Sequence, residues 1–319
     1  MNRKQFIKTA GAGSLALAAS PNFLFGSTNG ILNQEPAYKL TILHTNDQHS
    51  RIEPFDETGG RNANKGGFAR RAHLIAQIRK EEQNVLLLDS GDIFQGTPYF
   101  NLFGGELEFK LMSMMGYDAA TMGNHDFDNG LEGFIKVLPH AKFPFITSNY
   151  DFTNTIVEGR TQPYKIFKKG PIKVGIFGLG IELDGLVGKK QFLETKYLDP
   201  VETANHYAEL LKKEKKCDLV ICLSHLGYQY RDNDQKISDV RLASKTENID
   251  LILGGHTHTF LPEPQAYENR AGKQVLVNQV GFAGLLLGRI DFFFDRSKNL
   301  KNTAWNNQPI NAALDSVLG

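Results

Sequence analysis

Apolar residues recur along this chain in short, dense blocks. Residues 40–43, 85–88, 119–122, 145–147, 174–179, 219–223 and 251–253 are continuous enough to be strands covered on both faces. Between them the apolar positions change to helical spacing, with Phe68, Ala72, Ile75, Ala76 and Ile78 inside 67–82, and Leu107, Phe109, Leu111, Met112 and Met115 inside 106–115. Residues 200–216 open with proline, which a first helical turn accepts, and end in lysine. Alternation of strand and helix predicts an α/β fold with largely parallel strands. The last part differs: 274–280, 285–290 and 291–294 read as consecutive strands, an antiparallel edge or a second sheet. Phe292, Phe293 and Phe294 are contiguous, so at least one points to the other face of its strand. After Asp295 the text turns polar and asparagine-rich, and 296–319 reads as a partly helical tail.

The N-terminus stands outside this pattern. Arg3, Lys4 and Lys8 precede an apolar, alanine-rich stretch from Thr9 to Ala19. Residues 1–27 therefore read as a signal peptide and the start of a linker, and predict a periplasmic or otherwise exported protein. The opening is similar to a twin-arginine signal, with lysine at the second arginine. No stretch of the mature chain is apolar for long enough to span a bilayer.

Composition adds exclusions. The 319 residues are 41% hydrophobic and 22% charged, with a net charge of +1, which fits an ordinary globular protein and gives no basic patch for nucleic acid. The two cysteines, Cys217 and Cys222, flank a strand candidate. Such positions lie roughly 16 Å apart, beyond the ~7 Å that a disulfide spans, so both read as small buried hydrophobes.

Five strand candidates end in polar clusters: Asn46-Asp47-Gln48-His49, Asp89-Ser90-Gly91-Asp92, Gly123-Asn124-His125-Asp126-Phe127-Asp128, Ser224-His225, and Gly254-Gly255-His256-Thr257-His258. Ligands of open α/β sheets bind beyond the carboxyl ends of the strands, so parallel pairing would bring the five together. Imidazole, carboxylate and amide donors without thiolate suit divalent Mn, Zn, Fe or Ni. Two Asp, one Asn and four His are too many for one tetrahedral ion and suit a pair of ions. Gly91, Gly123, Gly254 and Gly255 let the backbone turn and approach closely.

The order Asp-x-His, Gly-Asp, Gly-Asn-His-Asp, a lone His and Gly-His-x-His resembles the calcineurin-like metallophosphoesterases. The segments from Leu43 to His49 and from Gly123 to Asp128 are similar to the N-terminal catalytic domain of bacterial 5′-nucleotidases. The resemblance covers about residues 38–295 and implies a four-layer α/β/β/α sandwich of two mixed sheets. It implies that Asp47, His49 and His258 hold one divalent ion (Mn, Zn or Fe), that Asn124, His225 and His256 hold a second, and that Asp92 bridges them. A metal-bridging hydroxide would be the nucleophile. His125, oriented by Asp128, would stabilise the transition state or protonate the leaving oxygen. His44, His73, His140 and His206 read as structural or surface groups. Asp126 reads as a supporting or surface group, Asp89 as support from behind, and Asn149 as a neighbour of the site.

The implied activity is hydrolysis of a small phosphate ester, a nucleotide in the first instance, within nucleotide catabolism. Full-length 5′-nucleotidases carry a second, substrate-binding domain, and this chain is read as ending before it. The alternatives are therefore a catalytic subunit completed by a separate chain, a 2′,3′-cyclic nucleotide phosphodiesterase or nucleotide-sugar hydrolase, and a non-catalytic metal-binding module.

Overall fold

The computed structural model describes residues 36–231 and 235–317, together with the backbone of Asn22–Phe23. The signal-peptide reading of residues 1–27 falls outside these apart from that segment. In chain order the main strands are β1 (Tyr38–Thr45), β2 (Val85–Asp89), β3 (Ala119–Ala120), β4 (Tyr164–Lys169), β5 (Ile172–Leu179), β6 (Leu219–Ser224), β7 (Leu251–Leu253), β8 (Gln265–Glu268), β9 (Gln274–Asn278), β10 (Leu286–Phe294) and β11 (Leu300–Trp305). The main helices are α1 (Phe68–Glu81), α2 (Pro98–Phe103), α3 (Glu106–Met115), α4 (Gly130–Val137), α5 (Pro200–Glu209) and α6 (Asp239–Lys245).

The strands form two large sheets. One runs Asn22–Phe23, β11, β10, β1, β2, β3, and the other runs β8, β9, β7, β6, β5, β4. Both are mixed. Pairing is parallel through β1, β2 and β3 and through β5, β6, β7 and β9. Antiparallel pairs β10–β1, β10–β11, β4–β5 and β8–β9 complete the edges.

Alternation along the strands sorts the apolar side chains into three cores. Leu40, Ile42, Leu86 and Leu88 of one sheet meet Val174, Ile176, Leu219 and Ile221 of the other. Leu43, Leu87 and Ala120 turn outward to α1, α3 and α4 through Ile75, Phe109 and Phe134. On the far side Phe177, Val220, Cys222 and Ile252 take Ala204, Ala208 and Leu242 from α5 and α6. The result is the expected α/β/β/α sandwich. Both central blocks of parallel strands deliver their carboxyl ends to one edge. Pro200 opens α5 as expected, and Asp199 caps it by accepting the N–H groups of Val201 and Glu202 at 2.8 Å. Cys217 and Cys222 are free and buried.

The C-terminal region departs from the sequence reading in two ways. Residues 285–290 and 291–294 form one strand, β10, because Ile290, Phe292 and Phe294 all face the inter-sheet core. The stretch read as a tail instead supplies β11, whose Trp305 enters the same core, and Ile310 is fully buried against the outer layer. Asp315 then accepts both Nε and an Nη of Arg70 on α1 at 2.6 Å. Residues 145–147 make only isolated bridges to Ala120 and Gln162.

Phe292 and Phe293 offer a paired test, since Phe292 is 1% exposed between the sheets while Phe293 lies partly exposed beneath the Lys39 ammonium. Phe292→Ala is expected to cost about 3–5 kcal/mol in urea unfolding, and Phe293→Ala no more than about 1 kcal/mol.

Candidate metal centre

The five polar clusters meet at the common sheet edge. Two groups of ligating atoms form there, Asp47 with His49 and His258, and Asp92 with His225 and His256. In the first, His49 Nε2 lies 2.9 Å from His258 Nε2, and His258 Nε2 lies 3.2 Å from Asp47 Oδ1. In the second, His225 Nε2 lies 3.0 Å from Asp92 Oδ2. Asn124 joins it through Oδ1, 2.9 Å from His256 Nδ1. The groups adjoin, because Asp92 Oδ2 is also 4.0 Å from His49 Nε2 and Asp47 Oδ1 is 3.9 Å from His225 Nε2.

The local backbone that achieves this is unusual. Asp47, His49, Asp92, His256 and His258 all have positive φ, between 48° and 71°, a region costly for residues with a Cβ. Hydrogen bonds between loops hold it. The β1–β2 pairing continues beyond the strands as Ser90 N–H to Thr45 O, Asp47 N–H to Gly91 O, His49 N–H to Asp92 O and Ser50 N–H to Ile93 O, at 2.8–3.1 Å. The His256 N–H donates to the Asp47 carboxylate at 3.0 Å.

Behind these candidate ligands lies a fully buried polar layer. Asp126 accepts four backbone N–H groups, from Asp92 at 3.0 Å, Ile93 at 3.0 Å, Phe94 at 3.2 Å and Gly123 at 2.8 Å. Asp89 accepts from Thr45 at 2.6 Å, Gln48 at 2.8 Å and the Gly91 N–H at 2.9 Å. Arg71, buried on α1, donates to the side-chain amide oxygen of Gln48. Burial pushes Asp126 and Asp89 each up to about 7. Asp126 and Asp89 thus support the cage from behind. Gln48, Arg71 and Gln279, which braces Gly255 O at 2.6 Å, are supports the sequence did not single out. Only the position of Gln48 inside the Asp-x-His motif hinted at one of them.

The remaining candidates lie elsewhere. His44 is buried in β1 with Asn278 on its Nε2 at 2.8 Å, and burial pushes it down to about 3. Asn149 clamps the backbone of Gly180 from both sides at 2.8 Å. His73 and His206 sit in α1 and α5, and His140 in the turn Leu138–His140.

The donor set fits divalent cations. His225 is wholly buried, and its Nδ1 donates to Ser90 O at 2.7 Å. A neutral ring therefore turns the Nε2 lone pair toward Asp92, and Nε2 has no aligned hydrogen-bond partner. A lone pair facing a buried carboxylate is repulsive unless a proton or a metal ion lies between them. Without a metal, burial works against a charged His225, but the Asp92 and Asp47 carboxylates outweigh it and push the ring up to about 10.

His125 faces the mouth of the cage, 37% exposed, with Nδ1 2.8 Å from Asp128 Oδ2. This hydrogen bond raises its pKa despite partial burial. Its backbone N–H donates to Asp92 Oδ1 at 2.8 Å, so one residue orients a candidate ligand and presents a second ring nitrogen outward. A depression of about 350 Å³ opens there, lined by His49, His125 and His258 among others.

A family model described as calcineurin-like phosphoesterase matches residues 40–260. Snake venom 5′-nucleotidase of Crotalus adamanteus is 36% identical over 291 residues, 85% of this chain and 48% of its own. Among solved structures, the 5′-nucleotidase precursor from Thermus thermophilus superposes with a TM-score of 0.77 at 31% identity, covering 87% of this chain and 55% of that one. The calcineurin-like phosphoesterase YfkN from Bacillus subtilis gives 0.69 at 26% identity, covering 88% and 95%. The chain spans about half the length of the curated relatives it matches.

Asp126→Asn keeps the shape but replaces one accepting oxygen with a donor facing backbone N–H groups. It is expected to lower unfolding free energy by about 2 kcal/mol or more and to reduce bound metal measured by mass spectrometry. Unchanged stability and metal content would refute the role given to Asp126.

Proposed function

The chain belongs to the calcineurin-like phosphoesterases, metal-dependent hydrolases of phosphate esters, and from that we propose that it is a 5′-nucleotidase-like hydrolase working with two divalent cations. The observation that carries the reading is the His125–Asp128 pair, set at the open mouth of two adjoining ligand groups. A site that only stored metal would need no such pair. Asp47, His49 and His258 would hold one cation, and Asn124, His225 and His256 the other, with Asp92 shared. When bound, such cations supply an acidified water and positive charge for the phosphoryl oxygens.

The chain's own groups do the rest. Asp128 engages Nδ1 of His125, fixes the ring and favours its charged form, so Nε2 carries a proton toward the depression. That proton can stabilise charge on a phosphoryl oxygen or pass to the departing ester oxygen. Asp47 and Asp92 keep their carboxylates in place through the His256 and His125 N–H groups. A nucleotide is the proposed substrate because relatives of this chain are named 5′-nucleotidases. The basic and apolar N-terminal text supports export. Among the described residues, no helix is long and apolar enough to cross a membrane.

His125→Ala is expected to lower kcat for AMP by about 10²–10⁴-fold with metal content retained, and Asp128→Asn to lower it by less. Turnover that survives His125→Ala would sink the assignment. Stripping the protein with a chelator should abolish turnover and lower the thermal midpoint, since the ions bind only the folded cage. Adding Mn or Zn back should restore both.

A further inference from the structure

One proposed ligand of the cage is held unlike the others. His225 is wholly buried and donates Nδ1–H to Ser90 O at 2.7 Å, and His49 has its Nδ1 3.3 Å from Phe94 O. A backbone carbonyl at Nδ1 fixes the tilt of a ligating imidazole and leaves Nε2 free to bind. His258 also turns Nε2 inward, 2.9 Å from His49 Nε2 and 3.2 Å from Asp47 Oδ1. Among the described residues, nothing accepts from its Nδ1. Its side chain is 40% exposed, and its backbone is left-handed, with a φ of 52°. Neither a hydrogen bond nor burial therefore sets the plane of this ring.

Phe282 does. Its ring lies against His258 with centroids 5.0 Å apart and planes 16° from parallel, within the stacked range that aromatic rings favour. Phe282 is itself wedged, since Phe55 at 6.5 Å and Phe260 at 5.9 Å meet it edge-on. The backbone beneath it is tied to the loop of Asp47. Asn46 Nδ2 donates to Gly281 O at 2.6 Å, the Val280 N–H donates back to Asn46 Oδ1 at 3.1 Å, and the Ala283 N–H donates to Asp47 O at 2.7 Å. On the other side the Gly281 N–H donates to Thr259 O at 2.9 Å, next to His258. Phe282 thus stands on a segment bonded to the loops of both Asp47 and His258. Glycine at 281 permits this, because a Cβ there would fall 2.1 Å from the Phe260 ring.

We propose that Phe282 is a positioning residue for the first cation. Its face holds the His258 ring in the plane that aims Nε2 toward His49 and Asp47, and so does by stacking what a carbonyl does for His225. The inference rests on the two-cation reading above and gives a role to a side chain outside the proposed ligand set. A ring already aimed before the ion arrives loses little freedom on binding, so removing the stack weakens the hold on that ion. Among the described residues, the ring contacts of Phe282 reach no member of the second group, Asp92, His225 and His256. The effect is therefore confined to one site of the two.

The test titrates zinc into the metal-stripped full chain and measures bound metal by equilibrium dialysis and mass spectrometry. Wild type is expected to take two equivalents. Phe282→Leu keeps apolar bulk without a flat face. It should bind one equivalent about 10-fold more weakly, the lower end of the range for groups that orient a ligating imidazole, and leave the other unchanged. Phe282→Tyr keeps the face and should bind both as wild type does. In the background of His258→Ala, where there is no ring to hold, Phe282→Leu should weaken zinc no further. A loss that adds in full on that background would mean that Phe282 serves the fold at large, and would overturn the proposal. So would an equal loss in Phe282→Tyr, or zinc binding by Phe282→Leu that matches wild type. A wild-type chain that takes up no zinc would instead overturn the two-cation reading beneath it.

Discussion

The site hangs on the carboxylate of Asp126. One buried side chain accepts the N–H groups of Asp92, Ile93, Phe94 and Gly123, so it ties the loop after β2 to the loop after β3. No backbone ladder joins them there, because β3 is only two residues long. Without this clamp, the loops carrying Asp92 and Asn124 would keep the His125 N–H contact to Asp92 but lose those that Asp126 makes to Asp92, Ile93 and Phe94, and each backbone donor would be left buried and unpaired, at about 1–3 kcal/mol apiece. The position of Asp92 then decides the rest, since its two oxygens contact the His125 N–H and the ring of His225.

The clamp has strain to hold. Five of the proposed ligands occupy left-handed backbone, each at about 1–3 kcal/mol. Glycine is required where two loops nearly touch. A Cβ on Gly123 would fall 2.2 Å from Asp92 Oδ1 and 2.6 Å from His225 Nε2, and one on Gly91 would fall 2.5 Å from Gly123 N. The sandwich supplies the rigidity. The proposed ligands follow strand ends that are buried, so each loop begins from an anchored end, and strain at the edge cannot relax into the sheets.

This division explains what could be read from the sequence. The seven proposed ligands and the His125–Asp128 pair were legible because ligation demands particular side chains, and strand ends place them at one edge. The alternation that builds both sheets was legible for the same kind of reason. The clamps were harder, since Asp126 and Asp89 act on backbone N–H groups that any sequence carries, and Arg71 reaches Gln48 from a helix whose spacing says only that one face is apolar. The C-terminal stretch misled because Asn302, Asn306 and Asn307 look like a linker. Its buried apolar residues, Ala304, Trp305 and Ile310, are too few and too scattered to mark a strand by periodicity. The apparent break within residues 285–294 arose from Arg289 and Asp291. They share a face of β10 and pair with each other at 3.1 Å, and Arg289 also reaches Glu82 at the end of α1, so the charges lie on the face away from the inter-sheet core rather than end the strand.

Charge balance links this architecture to its proposed chemistry. The cage contributes two carboxylates, Asp47 and Asp92, while Asn124 is neutral and the four imidazoles are neutral when they ligate. Two divalent cations would leave an excess of two positive charges in a pocket whose floor excludes water. An anionic phosphate ester offsets that excess, even after one bound water has become hydroxide, whereas a neutral substrate would leave it uncompensated. A third carboxylate among the ligands would weaken the match. The two nearby buried acids are consistent with this. Asp126 and Asp89 are turned away from the cage onto N–H and hydroxyl donors, and burial raises both toward neutrality. Their role is to shape the cage from behind, with their oxygens taken up by N–H and hydroxyl donors. Asp89 and Asp92 stand three residues apart, and the turn at Gly91 between them sends one behind the cage and the other into it.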